Sequence, residues 1–116
     1  MQYLLMIYED ESKREGWTEA AINQTIAAYH AYTAALQSAG HLLAGNRLRP
    51  VATATSVRVV DGRNQVLDGP YAETKEQLGG YYLIDVPDLD QAISWAARCP
   101  GASIGTIEVR PVWTYS

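Results

Sequence analysis

The feature that most constrains this chain is an alanine-rich segment from Thr18 to Ala39, in which Ile22, Ile26, Tyr29, Thr33 and Leu36 recur at alternating steps of four and three. That spacing puts all five on one face of an α-helix. Thr18 is placed to cap its start, and Gly40 supplies the left-handed residue that stops it. A helix with such a stripe must bury it, and the segments around it read as strands. Gln2 to Tyr8 (QYLLMIY) is a short apolar run with aromatic and branched members, ended by Glu9-Asp10-Glu11, and it predicts a buried strand followed by a solvated acidic loop.

Beyond the helix, His41 to Pro50 carries Gly45, Asn46 and Pro50 and reads as a connector, with a short extended piece at Leu42-Leu43. Thr55 to Val60 predicts a strand, Asp61-Gly62 a turn and Gln65-Val66-Leu67 the return of a hairpin. Tyr71 to Leu78 is polar and reads as irregular or as a single helical turn, before Gly80 to Val86 (GYYLIDV) predicts another buried strand that Pro87 stops. Asp88 can cap a second helix with Gln91 as its reciprocal partner, leaving Ala92, Ile93, Ala96 and Ala97 to face the sheet. Pro100-Gly101 ends that helix, and Ile104 to Val112 alternates as a last strand.

The order is β-α-β-β-β-α-β. With the hairpin return set aside it is the split β-α-β of ferredoxin-like folds, an α+β class in which two helices lie on one face of an antiparallel sheet. Two helices cannot cover both faces. The other face, expected to show its share of Tyr3, Tyr81, Tyr82 and Trp113, is therefore an association surface that a second sheet would bury across a two-fold axis.

A length of 116 residues, 47% hydrophobic, suits a single domain over residues 1–116 with one core. A net charge of −4 with scattered Arg and Lys argues against nucleic acid as a partner. No basic segment precedes an apolar stretch of signal or membrane length, and the single Cys99 can form no internal disulfide, so no membrane contact and a cytoplasmic location are expected. Cys99, just before Pro100-Gly101, reads as a small half-buried residue at a helix end, the alternative being a nucleophile. Zinc-ligand spacing, a glycine-rich phosphate loop and a nucleophile elbow are absent, so neither a metal nor a cofactor is expected.

Chemistry has few candidates. Asp68 and Glu73 flank a Gly-Pro turn with Lys75 within reach in sequence, which allows acid/base work or binding of a cation or amine. The same residues also make a turn in which Asp68 bonds the following amides and Glu73 to Glu76 caps a helical turn. His30 has two readings, a general base at a pocket rim or a histidine on the helix flank. His41 follows the helix stop, near the negative end of the helix. Arg47 and Arg49 are either solvated or placed to hold an anionic ligand at a pocket mouth, and Trp17, Trp95 and Trp113 suit core or interface.

The stretch Asp68 to Tyr82 (DGPYAETKEQLGGYY), continued by Ile84-Asp85-Val86-Pro87-Asp88-Leu89-Asp90, closely resembles the signature of the DGPF subgroup of YCII-related proteins. Tyr3 to Tyr8 and Ile107 to Val112 resemble that family's first and last strands. The resemblance implies a domain that pairs into a dimeric α/β barrel, with a pocket in each subunit between sheet and helix. Tyr71 replaces the motif's phenylalanine and adds a hydroxyl. Some YCII-related relatives are thought to use a histidine on the first helix and an aspartate near its end as an acid/base pair. Ungapped alignment on Gly40 puts those positions at Tyr29 and Ser38, so that pair does not carry over, and His30 lies about 100° around the helix from Tyr29. The expectation is a small-molecule-binding homodimer, a cofactor-independent lyase or isomerase with His30, Asp68 and Glu73 as catalytic candidates and Tyr29, Arg47, Tyr71 and Lys75 as ligand contacts. DGPF-type proteins are often encoded beside extracytoplasmic-function sigma factors, so the alternative that the resemblance implies is a regulatory partner of such a factor.

Overall fold

In a computed structural model that describes residues 1–114, the most apolar strand, β1 (Gln2–Glu9), lies inside the sheet with a neighbour on each side. Its side chains alternate, with Tyr3, Leu5, Ile7 and Glu9 buried and Leu4, Met6 and Tyr8 half-buried. The remaining elements are α1 (Glu19–Ser38), β2 (Leu42–Arg47), β3 (Thr55–Val60), β4 (Arg63–Asp68), β5 (Gln77–Asp85), α2 (Leu89–Arg98) and β6 (Thr106–Pro111). The main sheet has the order β2-β5-β1-β6, and every adjacent pair is antiparallel. β1 and β2 thus flank β5, and β5 and β6 flank β1, which makes two interlocked split β-α-β units, the ferredoxin-like arrangement.

Local chemistry sets the helix ends. The Thr18 hydroxyl accepts from the Ala21 amide, the Asp88 carboxylate accepts from the Gln91 amide, and Gly40 takes a φ of 75° just past α1. Tyr32 and Leu36 of α1 and Ala92 and Ala96 of α2 pack with Leu5, Tyr82 and Ile84 in one core on one face of the sheet. Burying Leu5, Leu36, Ile84 and Val86 contributes about 1.5–3 kcal/mol each. Among the described residues no helix is long and apolar enough to cross a membrane.

The structure corrects several expectations. The second strand of the sheet is not Thr55–Val60 but β2, inside the presumed connector, while β3 and β4 pair only with each other as a separate two-stranded sheet. Gly45 misled the reading because it looks like a turn residue. A Cβ there would stand 2.7 Å from the Tyr82 ring, so the glycine is what lets β2 pass beneath it. Tyr3 and Tyr82 lie buried under the helices, and the open face instead carries Leu4, Met6, Tyr8, Tyr81 and Leu83. Ile93 and Ala97 of α2 point outward, and residues 71–76 form no helical turn. The α1 stripe is buried only in its second half, where Tyr32 and Leu36 are enclosed while Ile22 and Ile26 stay 44% and 41% exposed. Tyr29, midway along α1, already bonds Glu9 at the end of β1, so the N-terminal turns of α1 run on past that strand.

Candidate functional site

At the overhanging end of α1, the inward alternation of β1 ends on a carboxylate. Glu9 is 6% exposed, although the sequence reading assigned it to a solvated run. An ionised carboxylate there needs partners, because burial without them costs several kcal/mol. Arg14 is one, ion-paired to Glu9 from a single 3₁₀ turn (Glu11–Arg14). Asp10 opens that turn, its Oδ1 accepting from the Ser12 amide at 3.0 Å and the Ser12 hydroxyl at 2.6 Å. Those bonds hold the Asp10 carboxyl below its ordinary range, and Lys75 and Lys13 add a smaller push in the same direction. The second partner is Tyr29 on α1, whose hydroxyl donates to Glu9 Oε1 at 3.3 Å.

The third wall is backbone. A Cβ on Gly101 would lie 2.7 Å from the Tyr29 hydroxyl, 2.9 Å from Ile7 Cγ2 and 3.3 Å from Glu9 Oε1, so only glycine fits against the cluster. Cys99, 2% exposed, lies close by. Burial first, then Cys99 and Glu9, push the Tyr29 phenol far above its ordinary value. Burial likewise raises the Cys99 thiol. At neutral pH the seam therefore holds a protonated phenol that can donate, set against the Glu9 carboxyl group and the Arg14 guanidinium paired with it. A thiol held in its protonated form is a poor nucleophile. A register irregularity in the β1–β5 pairing between Ile7 and Tyr8 skips Gly79 at this same end of the sheet, and such bulges commonly re-aim side chains beside sites.

Two open clefts lie elsewhere. One, of about 610 Å³, is lined by Tyr8, Thr74, Glu76, Thr106 and Glu108, with the Thr106 hydroxyl donating to Glu76 Oε1 at 2.8 Å. The other, of about 360 Å³, lies between residues 48–54 and Pro70, Gln77 and Leu78, and it includes Arg49.

Of the residues singled out from the sequence, Tyr29 lies in the buried cluster. His30 is exposed on α1, Arg47 is exposed at the end of β2, and Asp68, Glu73 and Lys75 are exposed at and beyond the end of β4. Tyr71 is 80% exposed, with the Arg58 guanidinium 5.3 Å from its ring centre. Among the described residues no hydrogen bond or ion pair joins His30, Asp68, Glu73 and Lys75 to one another. The Asp-Gly-Pro turn is pinned by Gly69, whose amide donates to the Ala54 carbonyl at 2.6 Å and whose carbonyl accepts from the Ser56 hydroxyl at 2.8 Å. Glu9 and Arg14 were missed. For Glu9 the signal was its place two residues beyond Ile7, in step with Tyr3 and Leu5 along a strand; for Arg14 there was none.

A model of the YCII-related domain matches residues 1–116. The chain belongs to the YCII-related family. A relative, an uncharacterised protein of Rhizobium meliloti (strain 1021), is 38% identical over 117 residues, spanning 99% of this chain and 94% of that protein. Among solved structures, this YCII-related chain is similar to the 5-chloro-2-hydroxyhydroquinone dehydrochlorinase TftG from Burkholderia phenoliruptrix AC1100, in its complex with 2,5-dihydroxybenzoquinone. The TM-score is 0.53 at 16% identity, covering 100% of this chain and 96% of that one. That likeness is one of fold, and it agrees with the ferredoxin-like topology of this YCII-related domain.

Proposed function

We propose that this protein is a small-molecule-binding homodimer that acts as a cofactor-independent lyase or isomerase, with its site in the seam between sheet and α1 around Glu9 and Tyr29. The observation that carries the reading is the buried carboxylate bonded at once to a cation and to a protonated phenol. Ile22 and Ile26, on the face of α1 that also carries Tyr29, supply an exposed apolar wall beside those polar groups, the mixture that small-molecule sites use. In the reaction envisaged, a ligand oxygen draws Arg14 away from Glu9. The freed carboxylate takes a proton from the carbon next to a ring carbonyl, and the Tyr29 hydroxyl hydrogen-bonds the enolate oxygen that forms. A dehydrochlorinase bound to a dihydroxybenzoquinone shares the fold, which makes small oxygenated rings the first class to test.

His30, Asp68 and Glu73 compete with Glu9 and Tyr29 for the acid/base role, and Arg47, Tyr71 and Lys75 are the proposed ligand contacts around them. The half-buried Leu4, Met6 and Leu83 of the open face support pairing of two sheets across a two-fold axis. The test is a thermal-shift screen of hydroxylated benzoquinones, with sedimentation to read assembly. A dimer whose melting temperature rises in a saturable way with 2,5-dihydroxybenzoquinone is expected. A monomer that responds to no ring compound and binds an extracytoplasmic-function sigma factor would overturn this reading in favour of the regulatory one.

A further inference from the structure

We propose that the β3–β4 hairpin is an arm whose valine face docks on a second copy of this chain, so that each subunit's arm is covered by the other. The inference rests on the homodimer proposed above and names a surface that the pairing of open sheet faces does not account for.

The first observation is area. The chain exposes 8132 Å² at 12.8 kDa, whereas a compact monomer of that mass exposes about 6,300 Å². The excess of about 1,900 Å² is well above the roughly 800 Å² that each partner gives a standard interface, and it falls within the range of permanent homodimers. The Cα radius of gyration agrees, at 16.2 Å against about 13.4 Å for a compact chain of this length.

The second observation locates part of the excess. Val57 pairs with Val66 and Val59 with Asn64, so the three valines share one face of the hairpin, and they are 62%, 61% and 64% exposed in that order (Val57, Val66, Val59). The opposite face is mixed, with Ser56, Arg58, Arg63 and Gln65 beside Val60 and Leu67, so the three valines form the more continuous apolar patch. The hairpin is nonetheless regular, pairing without a register break from Thr55–Asp68 to Val60–Arg63 around a tight turn with Asp61 at φ 51° and Gly62 at φ 73°. A two-stranded hairpin alone in water is marginal. Its valines need a cover, and the rest of this chain leaves them open.

A second copy fits because the excess area is of the size that each subunit of a permanent homodimer buries. A two-fold axis covers the arm of each subunit in one contact that closes and leaves no arm free to propagate.

The test is a sedimentation dilution series on the full chain and on the double variant Val57→Ser, Val66→Ser. Both positions are exposed and lie outside the main sheet, so the core is not at stake, and circular dichroism checks that the hairpin strands persist. The expected result is a wild-type dimer whose dissociation constant rises about a hundredfold in the variant. A dimer of unchanged affinity would overturn the arm and leave the homodimer standing. A wild-type chain that stays monomeric throughout would remove both. A second measurement avoids dependence on that variant. Cys99 is 2% exposed, so Val57→Cys creates one accessible thiol. Its labelling rate should fall at least tenfold between dilute monomer and concentrated dimer, and a rate independent of concentration in a protein that sediments as a dimer would contradict the arm.

Discussion

Two regions of this molecule collect acidic side chains, and they treat them in opposite ways. At the end of β1, Glu9 is drawn under α1 and bonded by Arg14 and Tyr29. In the loop after β4, Asp68 and Glu73 stay in water beside a turn that its own backbone bonds hold. The sequence made the loop conspicuous, with its Asp-Gly-Pro and its run of charge, and hid the seam. The difference shows that a charge becomes chemically consequential through what encloses it, and enclosure is decided by elements distant in the chain.

Removing the cation from each region should separate them most. Arg14→Ala leaves Glu9 buried without its counter-charge and should destabilise the fold by about 2–4 kcal/mol, below the usual range for a fully buried pair because the Arg14 side chain is 30% exposed. Lys75→Ala should stay within about 0.5 kcal/mol of wild type. Urea unfolding midpoints read both, and equal effects would erase the distinction between the regions. The next contrast uses two glycines. Gly101→Ala forces a methyl against Tyr29 and Ile7 and should cost about 1–3 kcal/mol together with ligand affinity. Gly69→Ala meets open space, but its φ of 102° imposes backbone strain of about 1–3 kcal/mol, so the two glycines part in ligand affinity, which Gly69→Ala leaves untouched.

A smaller effect comes from pH. Tyr29, Tyr32 and Tyr82 all have phenols raised by burial, so the folded state holds protons that the unfolded chain releases near pH 10. Their contribution to stability is complete below that value and is lost as the pH rises toward the folded values. The melting temperature should therefore fall above about pH 10, and Tyr29→Phe should make the fall shallower. Asp68→Asn and Glu73→Gln, the smallest changes, should leave stability within about 0.5 kcal/mol.

Much of the fold was legible because its signals are local. Thr18, Gly40 and Asp88 mark helix ends through bonds within a few residues, and the apolar run of Gln2 to Tyr8 marks a strand on its own. β2 was illegible because Leu42–Arg47 joins the sheet through β5, and its glycine serves the Tyr82 ring from another strand. Alternation likewise announces two faces without saying which one is covered, which is why Tyr3 and Tyr82 were misplaced and why the hairpin valines look like core in sequence yet lie open. At the site, Tyr29 stood out because the family resemblance aligned it with a histidine position of relatives, whereas Arg14 reaches Glu9 through a 3₁₀ turn that no periodicity announces.

The most direct test of the central claim is calorimetric titration of 2,5-dihydroxybenzoquinone into wild type, Tyr29→Phe and Glu73→Gln under one buffer condition. If the seam is the site, wild type and Glu73→Gln bind alike and Tyr29→Phe binds at least about tenfold more weakly, the loss of one hydrogen bond to a charged oxygen. Unchanged binding in Tyr29→Phe together with a loss in Glu73→Gln would contradict the account and move the site to the loop.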